Sequence, residues 1–113
     1  DPRACLKLTQ CVSTLPDDYD NAHHCVNGIW KAKSHSSEIR LDATGSWLFV
    51  GNRGHDSLAV FAVTFDGETP RLRQAHVVKT GGACPRNFAV LESHIVVGCV
   101  EINQWSGAPI ILH

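Results

Sequence analysis

Leu48-Phe49-Val50-Gly51-Asn52-Arg53-Gly54-His55-Asp56-Ser57-Leu58-Ala59-Val60-Phe61 is the stretch on which the fold turns. Two apolar runs, Trp47 to Val50 and Leu58 to Val63, flank a polar heptad. Both runs are rich in β-branched and aromatic residues, which pack well on a pleated surface. They are continuously apolar rather than alternating, as suits a sheet covered on both faces. Gly51 to Ser57 is turn chemistry, because Gly, Asn and Asp tolerate a positive φ or cap tight turns. Working outward, Ser37 to Leu41 reads as a strand that ends in the turn Asp42-Ala43-Thr44-Gly45. On the other side, Asp66-Gly67 is a turn followed by a strand from Leu72 to Lys79. Residues 35–80 therefore predict four short antiparallel strands joined by hairpins. No stretch carries a 3.6-residue period with caps at both ends, so no long helix is expected.

The unit repeats. Leu6, Val12 and Thr14 match Leu72, Val78 and Thr80 at one constant offset, and both sets read as outer, fourth strands. Val50-Gly51 matches Val97-Gly98, and Ile39-Arg40-Leu41 matches Phe88-Ala89-Val90. The longer spacing of the first set is explained by a polar insertion at 16–34, containing Asp17-Asp18-Tyr19-Asp20 and His23-His24. A period of about 48 residues with four strands per unit points to β-propeller blades, whose kelch-type repeat runs at about 50. The expected fold class is all-β, a propeller fragment of four-stranded antiparallel blades. Residues 1–15 are the end of one blade, 16–34 a loop insertion, 35–82 a complete blade, and 83–113 a partial and degenerate one. The chain starts Asp1-Pro2-Arg3 and has no Met, which reads as a processed chain or an excerpt.

Asn52 to Phe61, with Arg, His and Asp in fixed order, resembles the seven-bladed propeller lactonases, the 6-phosphogluconolactonase and carboxymuconate cyclase family. Val12-Ser13-Thr14-Leu15-Pro16, Ser34-His35-Ser36-Ser37-Glu38-Ile39 and Pro85-Arg86-Asn87-Phe88 are similar to the family's blade junctions. After Leu91 the likeness weakens, where Glu92-Ser93-His94 replaces a Gly-containing turn. The resemblance implies a cytoplasmic, metal-independent hydrolase that opens a sugar lactone to the acid, with no cofactor. It equally admits a muconate-type lactonising cyclase, since opening and closing a lactone involve the same groups. A propeller used only as a binding scaffold is the third reading, because fold alone does not fix function.

In such a ring the first strand of each blade lines a channel. The loops entering that strand and the turns between second and third strands open on one face. That face collects His35 and Glu38, then Arg53, His55 and Asp56, then Arg86. Lactone opening needs a base for water, a donor for the carbonyl oxygen and cations for an anionic substrate group. His35 or Glu38 suits the base. Arg53 and Arg86 suit bidentate capture of phosphate or carboxylate, with His55 and Asp56 beside them. The same heptad also reads as a purely structural hairpin, with Asp56 bonding turn amides and Arg53 bracing a neighbouring blade.

Composition narrows the partners. Of 113 residues, 43% are hydrophobic and 19% charged, enough apolar content for a core. A formal net charge of -1 removes the broad electrostatic case for nucleic acid or an anionic membrane surface. No run of about 18 apolar residues is present to span a bilayer. Five cysteines cannot all pair internally and include no C-x-x-C, so they read as reduced thiols. His23-His24-Cys25 lacks a second ligand pair at metal spacing and reads as an exposed loop. There is no G-x-S-x-G elbow. The expected partners are a small lactone with an anionic group and, through exposed blade edges, other copies of the chain.

Overall fold

The structure, a computed structural model, describes residues 6–22, 24–99 and 109–112. In chain order its strands are β1 (His24–Val26), β2 (Ile29–Lys31), β3 (His35–Leu41), β4 (Trp47–Arg53), β5 (Ser57–Asp66), β6 (Thr69–Lys79), β7 (Pro85–Val90), β8 (Ile95–Cys99) and β9 (Pro109–Leu112). They form three antiparallel sheets, β1-β2, β3-β4-β5-β6 and β7-β8-β9. The described residues contain no helix.

Each turn of the central sheet has its own chemistry. Asp42 caps the β3–β4 turn: its Oδ1 accepts from the amides of Ser46 (3.0 Å) and Trp47 (3.2 Å), and its Oδ2 from the Thr44 hydroxyl (2.7 Å). The Thr44 hydroxyl, with the amides behind it, holds the Asp42 carboxyl below its ordinary pKa against the smaller opposing effect of burial. The 16–34 segment, expected as a loop, contains the β1–β2 hairpin. Asn27 and Gly28 sit at φ 51° and 78°, the pair of left-handed residues that a two-residue hairpin requires.

Alternation along β4 and β5 divides the core in two. Val50, Ala59 and Phe61 face one side, with Leu48, Leu72 and Val77 packed around them. Leu58 faces the other, where it meets Phe88, Val97 and Cys99 of the following sheet. This second cluster seats β7-β8-β9 against the central sheet. Full burial of side chains such as Leu58, Phe88 and Val97 contributes about 1.5–3 kcal/mol each.

Residues 6–15, expected as an outer fourth strand, form no strand. A fourth strand forms only beside a third, and the described residues upstream of β1 offer none. Side chains hold the segment instead. The Gln10 amide donates to the Leu72 carbonyl and accepts from the Leu72 amide, copying a ladder pair at the open edge of β6. Arg71 donates to the Thr9 carbonyl, and Gln74 to those of Ser13 and Leu15. The repeat still shows in three dimensions. The Thr14 hydroxyl donates to Asn52 Oδ1 at 2.6 Å, and its counterpart Thr80 meets the thiol of Cys99, the residue equivalent to Asn52, at 3.9 Å.

Both inner strands, β3 and β7, are bulged at the same level. Register slips between Ser36 and Ile39 opposite β4, and between Pro85 and Asn87 opposite β8. Arg86 is the extra residue in β7; in β3, Ser37 and Glu38 together oppose Gly51, and Ser37 is the counterpart of Arg86 in the repeat. Glycine faces each bulge. A Cβ on Gly51 would come within 2.5 Å of Ser37 Oγ, and one on Gly98 within 3.0 Å of Asn87 Oδ1. That is the physical content of the Val-Gly repeat.

Candidate functional site

At one end of the central sheet the β4–β5 turn, the β6–β7 loop and the chain entering β3 converge. His35, exposed at the start of β3, is the cross-strand partner of Arg53 at the end of β4. Arg53 is half-buried, and its Nε is buried without a hydrogen-bond partner among the described residues. Ser34, buried, ties the corner together: its hydroxyl donates to the Arg53 carbonyl at 2.9 Å and accepts from the His55 amide at 3.2 Å. Asn21 closes the base of the β1–β2 segment by accepting from the Ser34 amide (2.7 Å) and donating to its carbonyl (3.3 Å). Gly54 has φ 106°, and a Cβ there would collide with the Lys33 carbonyl.

Asp56 takes a left-handed φ of 58°. Its Oδ1 accepts from the amides of Gly54 (3.1 Å) and Cys84 (2.9 Å). Its carbonyl accepts from the Thr80 amide (3.0 Å) and hydroxyl (3.2 Å). One residue thus binds the hairpin to the loop that leads into the next sheet.

His55 lies beside it. Its Nδ1 is 2.7 Å from the hydroxyl of Ser57, which is fully buried. Asn52 donates from Nδ2 to that hydroxyl (3.0 Å) and to the Thr14 carbonyl (2.8 Å). Tyr19 stands edge-on to the imidazole, with centroids 4.6 Å apart. Burial lowers the His55 pKa below its ordinary value. Lys79, whose ammonium donates to the His55 carbonyl at 2.6 Å, adds to the lowering, while Asp18 and Asp56 oppose it.

Glu38 and Arg86 come from the inner strands. The Glu38 carboxylate pairs with Arg40 at 3.4 Å. Arg86 is exposed on β7, and the Ser37 hydroxyl joins the two inner strands by donating to the Pro85 carbonyl at 2.9 Å. The structure therefore gathers His35, Arg53, His55 and Asp56 at one corner. Arg86 lies on the adjacent strand, and Glu38 is held on its own strand by Arg40. Two cavities of about 350 and 380 Å³ lie elsewhere, and none of the six residues lines either. Tyr19, Asn21 and Ser34 escaped the sequence reading. Asn52 and Ser57 stood inside the quoted stretch, yet their pairing needed the fold. Among the described residues no three His, Cys, Asp or Glu side chains gather at metal spacing, and Cys11, Cys25, Cys84 and Cys99 form no disulfide with one another. His23 and Trp105 lie outside the described residues.

Comparison with known proteins points to a family for the chain. The chain is 39% identical over 97 residues to an uncharacterized protein of Lactococcus lactis, covering 84% of this chain and 25% of that protein. It is 33% identical over 102 residues to an uncharacterized protein of Staphylococcus saprophyticus, covering 84% and 28%. A crystal structure of a protein from Lactobacillus plantarum superposes with a TM-score of 0.63 at 31% identity, covering 90% of this chain and 29% of that one. The chain spans about a quarter of the length of the curated relatives it matches. The family described as Lactonase, 7-bladed beta-propeller matches residues 2–106. With its four-stranded sheet, its bulged inner strands and this match, the chain belongs to the seven-bladed β-propeller lactonases.

Proposed function

We propose that a complete propeller carrying this chain opens a sugar δ-lactone to its aldonate, as a 6-phosphogluconolactonase does. One observation carries the reading: two cations, Arg53 at the end of β4 and Arg86 near the start of β7, and two imidazoles, His35 at the start of β3 and His55 in the β4–β5 turn, belong to the end at which these elements meet. A substrate with an anionic tail and an electrophilic carbonyl fits that combination. Arg86, exposed and extended from the bulge, holds the phosphate or carboxylate through its planar fork. Arg53 offers a second positive charge from the neighbouring strand. His35, or the Glu38 carboxylate once released from Arg40, takes a proton from water. The water oxygen bonds to the carbonyl carbon and the ring C–O bond breaks. The proton removed from water ends on the ring oxygen as a hydroxyl, and the new carboxylic acid ionises to the aldonate, releasing water's second proton to solvent. The described cysteines form no disulfide with one another, which accords with a cytoplasmic setting, and no helix among the described residues is long and apolar enough to cross a membrane.

The test is hydrolysis of 6-phosphogluconolactone by the complete propeller, with a carboxymuconolactone and an uncharged sugar lactone beside it. The phosphorylated lactone is the expected substrate. Arg86→Ala should lower kcat/KM roughly ten- to a hundredfold, because a charge-assisted contact is worth about 1.5–3 kcal/mol. Tm should barely move, since Arg86 is exposed. Arg86→Lys should recover part of the loss. Wild-type turnover in Arg86→Ala with a much lower Tm would make Arg86 a packing residue and remove the anchor.

A further inference from the structure

We infer that His55 is held as the neutral imidazole tautomer with its proton on Nε2, and that this N–H is the donor meeting the lactone carbonyl oxygen as charge builds there. The second half rests on the lactone-opening reading; the tautomer does not. The Thr14 backbone carbonyl can only accept, so the amide nitrogen of Asn52 must face it. The Thr14 hydroxyl, donating to Asn52 Oδ1, fixes the same orientation. The second N–H of Asn52 then points at Ser57 Oγ. Ser57 has no exposed surface, so water does not reach its hydroxyl. The acceptor within reach of the hydroxyl proton is His55 Nδ1 at 2.7 Å. Were Nδ1 protonated, Ser57 would receive two donors and its own proton would be buried with no acceptor, the arrangement folded proteins avoid. Nδ1 therefore accepts, and the proton of the neutral ring sits on Nε2.

Nε2 itself has no hydrogen bond among the described residues and is not a buried orphan, so it is open to a ligand. A doubly protonated ring would set a second donor against Ser57. Burial and the nearby Lys79 disfavour that form, against the attraction of Asp18 and Asp56. The edge contact of Tyr19 and the Ser34–His55 amide bond hold the ring in place. His55 is thus a preorganised neutral donor, with Ser57, Asn52 and Thr14 as positioning residues behind it. It keeps its proton throughout: the water proton passes through the base to the ring oxygen, and His55 supplies a hydrogen bond alone.

The tautomer is read directly by long-range ¹H–¹⁵N correlation on the complete propeller with ¹⁵N-labelled histidine, His55 being assigned by difference from His55→Gln. Above pH 7 the wild type should show an unprotonated Nδ1 and a protonated Nε2. Ser57→Ala should relax this towards a mixture. Should that variant fold poorly, the wild-type spectrum decides alone, and a protonated Nδ1 in it overturns the assignment. In lactone hydrolysis, His55→Ala should lower kcat by about 10²–10³ with KM little changed, as for loss of one oxyanion donor. His55→Gln, which keeps an N–H, should recover part. Unchanged kcat in His55→Ala overturns the donor role. A wild-type propeller that shows the expected tautomer yet opens no lactone overturns the proposed reaction and the donor's substrate, and leaves the tautomer standing.

Discussion

At Gly54 two demands coincide: a φ of 106° and a Cβ direction filled by the Lys33 carbonyl. Gly54→Ala should therefore destabilise the chain by about 1–3 kcal/mol through backbone strain, seen as a lower urea midpoint with an unchanged slope. A midpoint equal to wild type would mean the turn relaxes freely. His55 makes a different prediction. Its folded pKa lies below the ordinary 6.5 of the unfolded chain, so the unfolded state binds the extra proton first. The stability it contributes is complete above pH 6.5, falls as pH drops through that value, and levels off below the folded pKa. Asp42, whose carboxyl is also lowered, acts in a separate window below 3.8. Urea titrations from pH 8 to 5 should show the first loss in wild type and not in His55→Gln. An equal slope in both would assign it to another group.

Between residue and molecule stands the β1–β2 hairpin, whose base is closed by the Asn21 amide on both polar groups of Ser34. Asn21→Ala should open residues 22–33 to proteases while leaving the melting of β3–β6 nearly unchanged. Cleavage at the wild-type rate would show that Tyr19 against His55 suffices as the tether. The strands around Gly51–Ser57 were legible because their information is local: apolar runs, turn residues and hairpin spacing lie within one window. The β1–β2 hairpin carried the same kind of signal in Asn27-Gly28, masked by the polar composition around it. Residues 6–15 misled for the opposite reason. Their pattern matches β6, but a strand is a property of its neighbour, and pattern alone supplies no neighbour. At the site, His35, Arg53 and His55 could be gathered from their turns. Tyr19, Asn21 and Ser34 could not, since their contacts join segments whose approach only the fold determines. The ion pair of Glu38 with Arg40, two residues on in the same strand, likewise depends on side-chain directions that residue order alone does not determine.

Taken whole, the described residues leave faces and edges that they do not themselves cover. Ile39, Leu41 and Phe65 are more than half exposed on the central sheet, and β9 pairs only with β8 among the described strands. By itself the chain should associate at micromolar concentration, since open strand edges and apolar faces are templates for further pairing. Light scattering on eluting protein should give a mass above the monomer, reduced by Ile39→Lys with Leu41→Lys. A monodisperse monomer with sharp, reversible unfolding would contradict this. The bulges in β3 and β7 reach further than local geometry. Each inner strand carries one residue outside the ladder count, so the side chain there is released from the in-or-out alternation that constrains every other position. Ser37 fills that place in one blade and Arg86 in the next. The two inner strands are thereby interchangeable mounts at one height: a hydroxyl can be exchanged for a guanidinium in one of them without retuning the sheet behind it, and a repeated unit acquires its own chemistry at that place.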